Sequence, residues 1–260
     1  MSMETYPVIF AGAGPGDPDL ITVKGQRALA TADLIIYAGS LVPEALLKWK
    51  QEAAEAFNSA SMDLDEIVEM IRAAHGAGKR VVRLHTGDPS LYGAIFEQMR
   101  ELEKFDITYQ VIPGVTAAFA AAAAMGMEYT LPEVTQTLIL TRISGRTPVP
   151  EQEELERLAA HQCSMAIYLS IAHVKRVEEI LGTHYGQDSA CAVAYKVGHP
   201  EERIVFTTVE KLSDTVETEK LNRQALIIVG KAVAAARDKG DVIKSKLYDA
   251  GFPHGFREKK

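Results

Sequence analysis

Residues 8–17 read VIFAGAGPGD, a stretch in which the apolar, strand-forming run Val8–Ala11 passes directly into a glycine-rich loop. Residues 81–93, VVRLHTGDPSLYG, repeat this arrangement, and a third loop, Pro113–Ala117, follows the apolar run Ile107–Ile112. Stretches with helical spacing of apolar residues separate these runs. Because parallel strands need a crossover, which a helix usually supplies, this alternation predicts an α/β fold with parallel pairing.

The same patterns extend along most of the chain. The predicted strands are Val8–Ala11, Leu34–Tyr37, Val81–Leu84, Ile107–Ile112, Thr137–Leu140, Met165–Leu169, Cys191–Ala194, Ile204–Thr207 and Ala225–Val229. The predicted helices are Leu20–Thr31, Leu64–Ala77 (with Asp63 or Asp65 as the N-terminal cap), Ala94–Leu102, Val115–Met125, Glu151–His161 and Val174–Leu181.

The alternation of strands and helices stops late in the chain. There the predicted strands Cys191–Ala194 and Ile204–Thr207 are joined by Tyr195–Arg203, a connection too short to contain a helix. An antiparallel hairpin is therefore expected, and with it a mixed sheet in the second half. We predict two α/β domains, residues 1–114 and 115–240, with a break near Pro113-Gly114 and a loosely attached tail, residues 241–260.

Composition limits the class of protein. Of the 260 residues, 47% are hydrophobic and 24% charged, as in a globular protein, and the formal net charge of −7 disfavours a nucleic-acid partner. No run is long enough to predict a membrane span, and no signal peptide is apparent. The two cysteines, Cys163 and Cys191, suit neither a disulfide framework nor a zinc site, and the histidines lack metal-ligand spacing. We expect a cytoplasmic protein without a metal.

The glycine-bearing loops are the candidate ligand sites, because open α/β sheets bind ligands at the carboxyl ends of their strands. The loop Gly12–Asp17 departs from the dinucleotide pattern, with Pro15 inside it and Asp17 at the sixth position. It also lacks the Gly-Lys-Ser/Thr ending of a phosphate loop. It is alternatively a tight turn that connects a strand to a helix.

The other two loops leave similar alternatives open. In the loop His85–Gly93, Gly87 would let a ligand approach the backbone, and Asp88 could accept a hydrogen bond from a ligand hydroxyl or amine. Alternatively, Asp88 or Ser90 only caps the next helix. The loop Pro113–Ala117 opens a helix whose free N–H groups, with Thr116, would face a ligand, or else it is a hinge between domains.

Taken together and in this order, these motifs resemble the tetrapyrrole (precorrin) methyltransferases, an S-adenosylmethionine-dependent family. The resemblance extends from Val8 to about Val229 and rests on GAGPGDPDLIT (residues 12–22), RLHTGDPSLYG (83–93), PGVTAA (113–118) and ALIIVG (225–230). Within the family, YAGSLVP (37–43), TQTLILTRISGRTPVP (135–150) and SKLY (245–248) are similar to the branch that methylates C11 of precorrin-4 or cobalt-precorrin-4 in cobalamin biosynthesis.

The resemblance implies two αβα domains, a mainly parallel N-terminal and a mixed C-terminal sheet, with the cofactor in a trough between them and commonly a homodimer. The implied contacts of S-adenosylmethionine, and of the product S-adenosylhomocysteine, are Pro15, Thr86, Gly87, Asp88, Leu91, Thr116, Ala117, Leu169, Tyr195, Lys196 and Ala225. In the family, Gly12–Asp17 borders the tetrapyrrole. Sirohaem-type relatives carry Tyr-Asp after the second strand, with that Asp proposed as a base, whereas Ala38 and Gly39 follow Tyr37 here.

A tetrapyrrole carries many carboxylates, so a protein of negative net charge needs local cations to bind it. Arg142 and Arg146 are the candidate clamps, with His85 and Lys24 as weaker ones, and each is alternatively a surface ion pair with a neighbour such as Glu151. We include Gly14, Asp17, Tyr37 and Ser40 among the predicted substrate contacts. His85 is a candidate for moving a proton near neutral pH, or is simply packed beneath a loop.

Two alternatives share the motifs or the cofactor. One is a methyltransferase of the same fold that acts on another tetrapyrrole carbon or on the modified histidine of diphthine synthesis. The other is a non-catalytic protein that senses S-adenosylmethionine.

Overall fold

The computed structural model describes residues 6–39, 42–239, 245, 246, 251–253 and 255. The chain divides into two compact units, Met1–Ala120 with Val197–Pro200, and Ala121–Lys196 with Glu201–Lys260. The change of unit falls a few residues beyond the predicted break at Pro113-Gly114, and the return of Val197–Pro200 to the first unit was not predicted. Most of the predicted tail lies outside the described residues.

The first unit contains a five-stranded sheet in the order β3-β2-β4-β1-β5, in which every pairing is parallel. Its strands are β1 (Val8–Gly12), β2 (Leu34–Tyr37), β3 (Glu55–Asn58), β4 (Val81–His85) and β5 (Tyr109–Ile112). The helices are α1 (Val23–Thr31), α2 (Leu64–Gly76) and α3 (Ile95–Glu103), with short 3-10 helices at Pro18–Leu20 and Glu44–Trp49. A fourth helix, α4 (Ala117–Met125), begins in this unit and ends in the second.

Helices cover both faces of this sheet, as parallel sheets require. Phe10 and Ile36 pack on one face with Ile71 of α2 and Leu102 of α3. The opposite face belongs to a second apolar cluster, which includes Ile35, Leu84 and Ile112 together with Leu29 of α1. Every residue of β2 and β4 is buried in consequence.

The second unit contains a mixed sheet in the order β6-β7-β10-β8-β9. Its strands are β6 (Leu138–Arg142), β7 (Ser164–Tyr168), β8 (Ala190–Tyr195), β9 (Arg203–Thr208) and β10 (Ala225–Val229), and its helices are α5 (Leu155–Ala159), α6 (Val174–Tyr185), α7 (Leu212–Thr218) and α8 (Lys231–Asp238). Among the described pairings of this second sheet, only that of β6 with β7 is parallel. The predicted α/β class, the mixed second sheet and the β8–β9 hairpin are confirmed.

The differences from the predicted elements have local causes. The prediction missed β3, because Glu55-Ala-Phe-Asn is a largely exposed edge strand without an apolar run. The α1 helix begins at Val23 and not at Leu20, because the Thr22 side chain accepts a hydrogen bond from the Gly25 amide and sets the first turn. Asp63 caps α2 in a capping box with Glu66, which decides between the two predicted caps.

Candidate active site

The loops that follow β1 and β4 in the first unit are joined to each other by backbone hydrogen bonds. The Ala13 amide donates to the His85 carbonyl at 2.7 Å, and Gly14 and Gly87 exchange N–H···O bonds of 3.2 and 2.7 Å. Since β1 lies between β4 and β5 in the sheet, the loop after β5 ends at the same edge. The three glycine-bearing loops singled out in the sequence therefore meet at the carboxyl edge of one sheet, where such folds bind ligands.

Two glycines are required because the loop backbones touch. A Cβ atom added to Gly12 would lie 2.6 Å from the Gly114 Cα and 2.6 Å from the Gly87 carbonyl oxygen. Gly114 approaches the same Gly87 carbonyl. No side chain fits in this space, so the close contact among the three loops depends on glycine at positions 12 and 114.

Asp88 connects the β4 loop to the β5 loop. Its Oδ2 accepts from the Gly114 amide at 2.9 Å, while its Oδ1 accepts from the Ser90 amide at 2.8 Å and from the Ser90 hydroxyl. Burial alone would raise the pKa of Asp88, but these hydrogen bonds outweigh it and lower the pKa below its ordinary value. The Asp88 carboxylate, which the sequence analysis considered as a ligand contact, thus joins the β4 and β5 loops to each other.

Gly87 leaves a space that suits a ligand. Its φ is +60°, and a Cβ added there would meet only the Thr116 Cα at 3.7 Å and the Val115 carbonyl oxygen at 3.9 Å. Thr116 is buried at the start of α4, where its carbonyl accepts from the Phe119 and Ala120 amides. The predicted cofactor contacts Gly87 and Thr116 are therefore neighbours, and Ala117 follows as the first residue of α4.

His85 is buried, with 4% of its surface exposed, and its ring stacks on Phe10 with the ring centroids 6.0 Å apart. Burial chiefly, and then the nearby charge of Arg83, lower the pKa of His85 to about 3, while the Gly93 backbone acts in the opposite direction. The imidazole is therefore neutral throughout the physiological range. A proton-transfer or charged-clamp role near neutral pH, which the sequence allowed, does not fit this environment.

The other predicted contacts of the first unit lie around the same edge. Pro15 is buried, Leu91 is half-buried, and Asp17 accepts from the Asp19 amide at 2.8 Å and so caps the Pro18–Leu20 turn. Tyr37 is buried at the end of β2, and its carbonyl accepts from the Ser59 amide and hydroxyl. Ser40 lies outside the described residues, and the Lys24 side chain is exposed.

The sequence analysis missed a neighbour of Gly16-Asp17. A Cβ added to Gly16 would meet the His199 ring at 2.5 Å, and one added to Gly198 would lie 2.8 Å from the Asp17 amide nitrogen. The turn Val197–Pro200 thus packs directly on the glycine-rich loop. The sequence analysis identified only a short connection, Tyr195–Arg203, and no local signal indicated where it would pack.

In the second unit, the predicted cofactor contacts share one edge of the sheet. Ala225 pairs with Tyr195, and Leu169 directly follows β7, the strand on the other side of β10. Leu169 has a φ of +52° and is 66% exposed, and Lys196 has a φ of +47° with its amide donating to the Gln224 carbonyl at 2.8 Å. Positive φ is unusual for such residues, and strained backbone of this kind concentrates at functional sites.

Cations flank the ring of Tyr195. The Arg203 guanidinium carbon lies 5.1 Å and the Lys196 Nζ 5.7 Å from its centroid. Arg203 is itself held by the Glu219 carboxylate at 3.0 Å, and Lys196 by Glu201 at 3.1 Å. The contact of Tyr195 with S-adenosylmethionine stays a prediction, now with these cations as neighbours of the ring.

Arg142 and Arg146 lie in different environments. Arg142, at the end of β6, donates to the carbonyls of Thr147 at 3.0 Å and Pro148 at 2.8 Å, so its guanidinium holds its own loop in shape. Arg146 is exposed on that loop, and the described residues give it no ion-pair partner. Glu151, the neighbour considered from the sequence, pairs with Arg157 at 2.7 Å. The clamp prediction therefore passes mainly to Arg146.

Two kinds of feature are absent from the described part of the chain. No group of three or more His, Cys, Asp or Glu side chains there is arranged to hold a metal ion. Within the same residues, no helix combines the length and the apolar character needed to cross a membrane.

Comparison with known proteins gives the class. The family model of the tetrapyrrole (corrin/porphyrin) methylases matches residues 7–213. The chain belongs to this family, and it is a methyltransferase.

The most similar relatives define the branch of the family. The chain is 48% identical over 252 residues to the cobalt-precorrin-4 C(11)-methyltransferase of Methanocaldococcus jannaschii, covering 96% of each chain. It is 48% identical over 250 residues to the precorrin-4 C(11)-methyltransferase of Pseudomonas aeruginosa, covering 96% of this chain and 98% of that protein. Its structure resembles a solved cobalt precorrin-4 methyltransferase, a cobalamin biosynthetic enzyme, with a TM-score of 0.85 and 46% identity, covering 87% of this chain and 95% of that one.

Proposed function

We propose that the protein transfers a methyl group from S-adenosylmethionine to C11 of precorrin-4 or of cobalt-precorrin-4 in cobalamin biosynthesis. The similarity to enzymes of both names over almost the whole chain carries this proposal. The Thr-Arg-Ile-Ser-Gly-Arg-Thr-Pro-Val-Pro stretch, residues 141–150, supports it, since its Arg146 is exposed and free to meet a substrate carboxylate.

The residues at the edge of the first unit suit S-adenosylmethionine. The absence of a side chain at Gly87 leaves a space next to Thr116 that a ligand can occupy. The hydrogen bond between Asp88 and the Gly114 amide fixes the backbone of this loop. At the edge of the second unit, the exposed Leu169 offers apolar surface directly after β7. We assign to the cofactor Pro15, Thr86, Gly87, Asp88, Leu91, Thr116, Ala117, Leu169, Tyr195, Lys196 and Ala225, with Asp88 acting through the loops that it braces.

When bound, S-adenosylmethionine supplies a methyl group already activated on a sulfonium, so the protein needs no nucleophile of its own. The rigid glycine-bearing loops orient the donor, and Arg146 orients the acceptor. Alignment of two reactants contributes on the order of 7–11 kcal/mol to catalysis. The chain's residues therefore act mainly by positioning, and we assign none of them as a general base.

The test offers the purified protein S-adenosylmethionine carrying a ¹³C-methyl group, with precorrin-4 and cobalt-precorrin-4 in separate reactions. We expect one labelled methyl group per product, located at C11 by NMR. A label at another carbon would show that the acceptor position is wrong. Binding of S-adenosylhomocysteine without turnover of either substrate would favour the sensor alternative.

We also propose that the protein works in the cytoplasm as a homodimer. Its two cysteines are buried and unpaired, as is usual in a reducing compartment. Phe96, Val111 and Phe119 of the first unit are 65%, 39% and 54% exposed, and Val111 lies in the edge strand β5. Sedimentation velocity would give the mass, and we expect Phe119→Asp to shift it towards the monomer while Phe252→Asp does not.

A further inference from the structure

The strand β4 carries two polar side chains into an apolar core. Arg83 and His85 alternate with Leu84, so they point to the face of the sheet that α2 and α3 cover. Only 5% of Arg83 and 4% of His85 are exposed. Long charged side chains are rarely buried to this extent unless a partner or a function retains them.

The partners of Arg83 are neutral. Its Nε donates to the Gln98 Oε1 at 3.1 Å and its Nη1 to the Ile36 carbonyl at 3.2 Å. Burial lowers the pKa of Arg83 to about 10, which leaves the guanidinium charged at neutral pH. A buried cation with neutral partners stabilises a fold less than an apolar residue of similar volume would. Stability alone therefore does not account for Arg83.

The contacts of this pair converge on one turn. Gln98, held by Arg83, donates from its Nε2 to the Ala94 carbonyl at 3.0 Å. The buried His85 ring lies near the Gly93 backbone, which opposes the lowering of the His85 pKa. Tyr92 and Ala94 on either side of Gly93 have φ values of +56° and +49°. A left-handed conformation at two non-glycine residues persists only where the surroundings enforce it.

This turn is in contact with the loop at Gly87. A Cβ added to Gly93 would overlap the Pro89 carbonyl, so the backbones of Gly93 and Pro89 touch. Pro89 follows Asp88, whose carboxylate is fixed by the Gly114 amide. The loop Thr86–Leu91 is thus held at two points. Asp88 binds the Gly114 amide after β5, and Pro89 packs against Gly93 of the adjoining turn.

We propose that Arg83, His85 and Gln98 are positioning residues, a buried latch that holds the strained Tyr92–Ala94 turn and through it the geometry of the Thr86–Leu91 loop. The inference rests on the proposed function, because it assigns that loop to S-adenosylmethionine. The latch touches neither cofactor nor substrate and acts on cofactor affinity only through the loop.

The test measures the affinity for S-adenosylhomocysteine by calorimetry, and stability by thermal unfolding, in four variants. Gln98→Glu keeps an acceptor for Arg83 but removes the donor to Ala94. His85→Leu removes the polar ring beside Gly93, whereas His85→Asn keeps a donor close to the position of the ring Nδ1. Leu102→Ala is the control, because this buried core residue lies on the same helix about two turns beyond Ala94.

We expect Gln98→Glu and His85→Leu each to weaken binding about tenfold, the effect of one lost hydrogen bond. His85→Asn should bind within threefold of the parent protein, and Leu102→Ala should lower the melting temperature without weakening binding. In turnover assays, the KM for S-adenosylmethionine should rise in Gln98→Glu while kcat at saturating cofactor is little changed. Amide hydrogen exchange at Gly93 and Ala94 should become faster.

Other outcomes would overturn the latch. If Gln98→Glu binds S-adenosylhomocysteine with unchanged affinity, the latch is wrong and these residues only pack in the core. The same conclusion would follow if His85→Leu and His85→Asn lose equal affinity. If His85→Leu does not fold, the Gln98→Glu result decides alone, since that variant keeps the partner of Arg83. Failure of the parent protein to bind S-adenosylhomocysteine would instead refute the proposed function.

Discussion

The Asp88 carboxylate accepts a hydrogen bond from the Gly114 amide at 2.9 Å, across 26 residues of sequence, and so joins the loops that follow β4 and β5. The sequence analysis considered Asp88 as a ligand contact, but in the structure its carboxylate acts as a brace between two loops.

Asp88→Ala should destabilise the fold and weaken cofactor binding together. It leaves the Gly114 amide without its acceptor, and loss of such a bond costs about 1–3 kcal/mol. Ser90→Ala, which removes only the hydroxyl donor to Asp88, should have a smaller effect. Urea unfolding and calorimetry with S-adenosylhomocysteine would measure both quantities, and equal effects of the two substitutions would contradict the brace.

Gly12→Ala should prevent the loops from closing. The new methyl group would lie 2.6 Å from the Gly114 Cα, which forces the backbones apart. The matched control is Gly76→Ala at the end of α2, where an added Cβ meets nothing within 4 Å. We expect the control to fold normally and to gain up to about 1 kcal/mol in unfolding free energy, whereas Gly12→Ala loses most of its soluble yield. A soluble Gly12→Ala protein of parental stability would refute the close packing.

The stability of the protein should fall as the pH drops below 6.5 because of His85. Its pKa is about 3 in the folded protein, lowered chiefly by burial, and about 6.5 in an unfolded chain. Between these values the unfolded chain binds more protons, so stability rises with pH and is complete above the unfolded pKa.

The loss between pH 8 and pH 5 should be about 2 kcal/mol. His85→Asn should remove this part of the pH dependence, which urea unfolding of both proteins across that range would reveal. Parallel pH profiles for the two proteins would show that His85 titrates in the folded state as it does in the unfolded chain.

Arg142→Ala and Arg146→Ala should differ in kind. Arg142 holds the carbonyls of Thr147 and Pro148, so its removal should loosen residues 143–150 in hydrogen exchange and lower kcat and substrate affinity together. Arg146 is exposed, so its removal should leave exchange unchanged and raise the KM for the tetrapyrrole several-fold. Normal KM in Arg146→Ala would exclude it as a carboxylate clamp.

Leu169→Gly should relieve backbone strain and reduce cofactor affinity. Glycine adopts the φ of +52° without cost, but it removes an apolar side chain that is 66% exposed. We expect equal or higher thermal stability with a higher Kd for S-adenosylhomocysteine. A lower stability with unchanged Kd would assign Leu169 to packing.

The sequence was sufficient for the elements whose signal is local. Apolar runs such as Leu34–Tyr37 and Ala225–Val229 are buried on both sides of a sheet, and period and composition reveal such strands. The strand Glu55–Asn58 was missed because an exposed edge strand has no such run. Asp88 and Arg142 were recognised as candidates, but the sequence did not indicate that Asp88 would accept from the Gly114 amide or that Arg142 would donate to the carbonyls of Thr147 and Pro148.

The positions of Arg83 and Gln98 show the same limit. Arg83 lies in a stretch that the sequence marked as a strand, but nothing local indicates that its guanidinium meets an amide on α3, fifteen residues further along. Their importance follows from burial and from the strain at Tyr92 and Ala94, both of which exist only in the folded chain.

The placement of Val197–Pro200 within the first unit bears on how the protein is made. During synthesis, Pro200 is added about 80 residues after Ala120, so the surface at Gly16-Asp17 receives its last piece long after the rest of its unit has been made. A fragment ending after Ala120 would lack that piece, so we expect the nascent chain to complete its N-terminal unit late, and truncated or split versions to regain full structure only when the later segment is supplied.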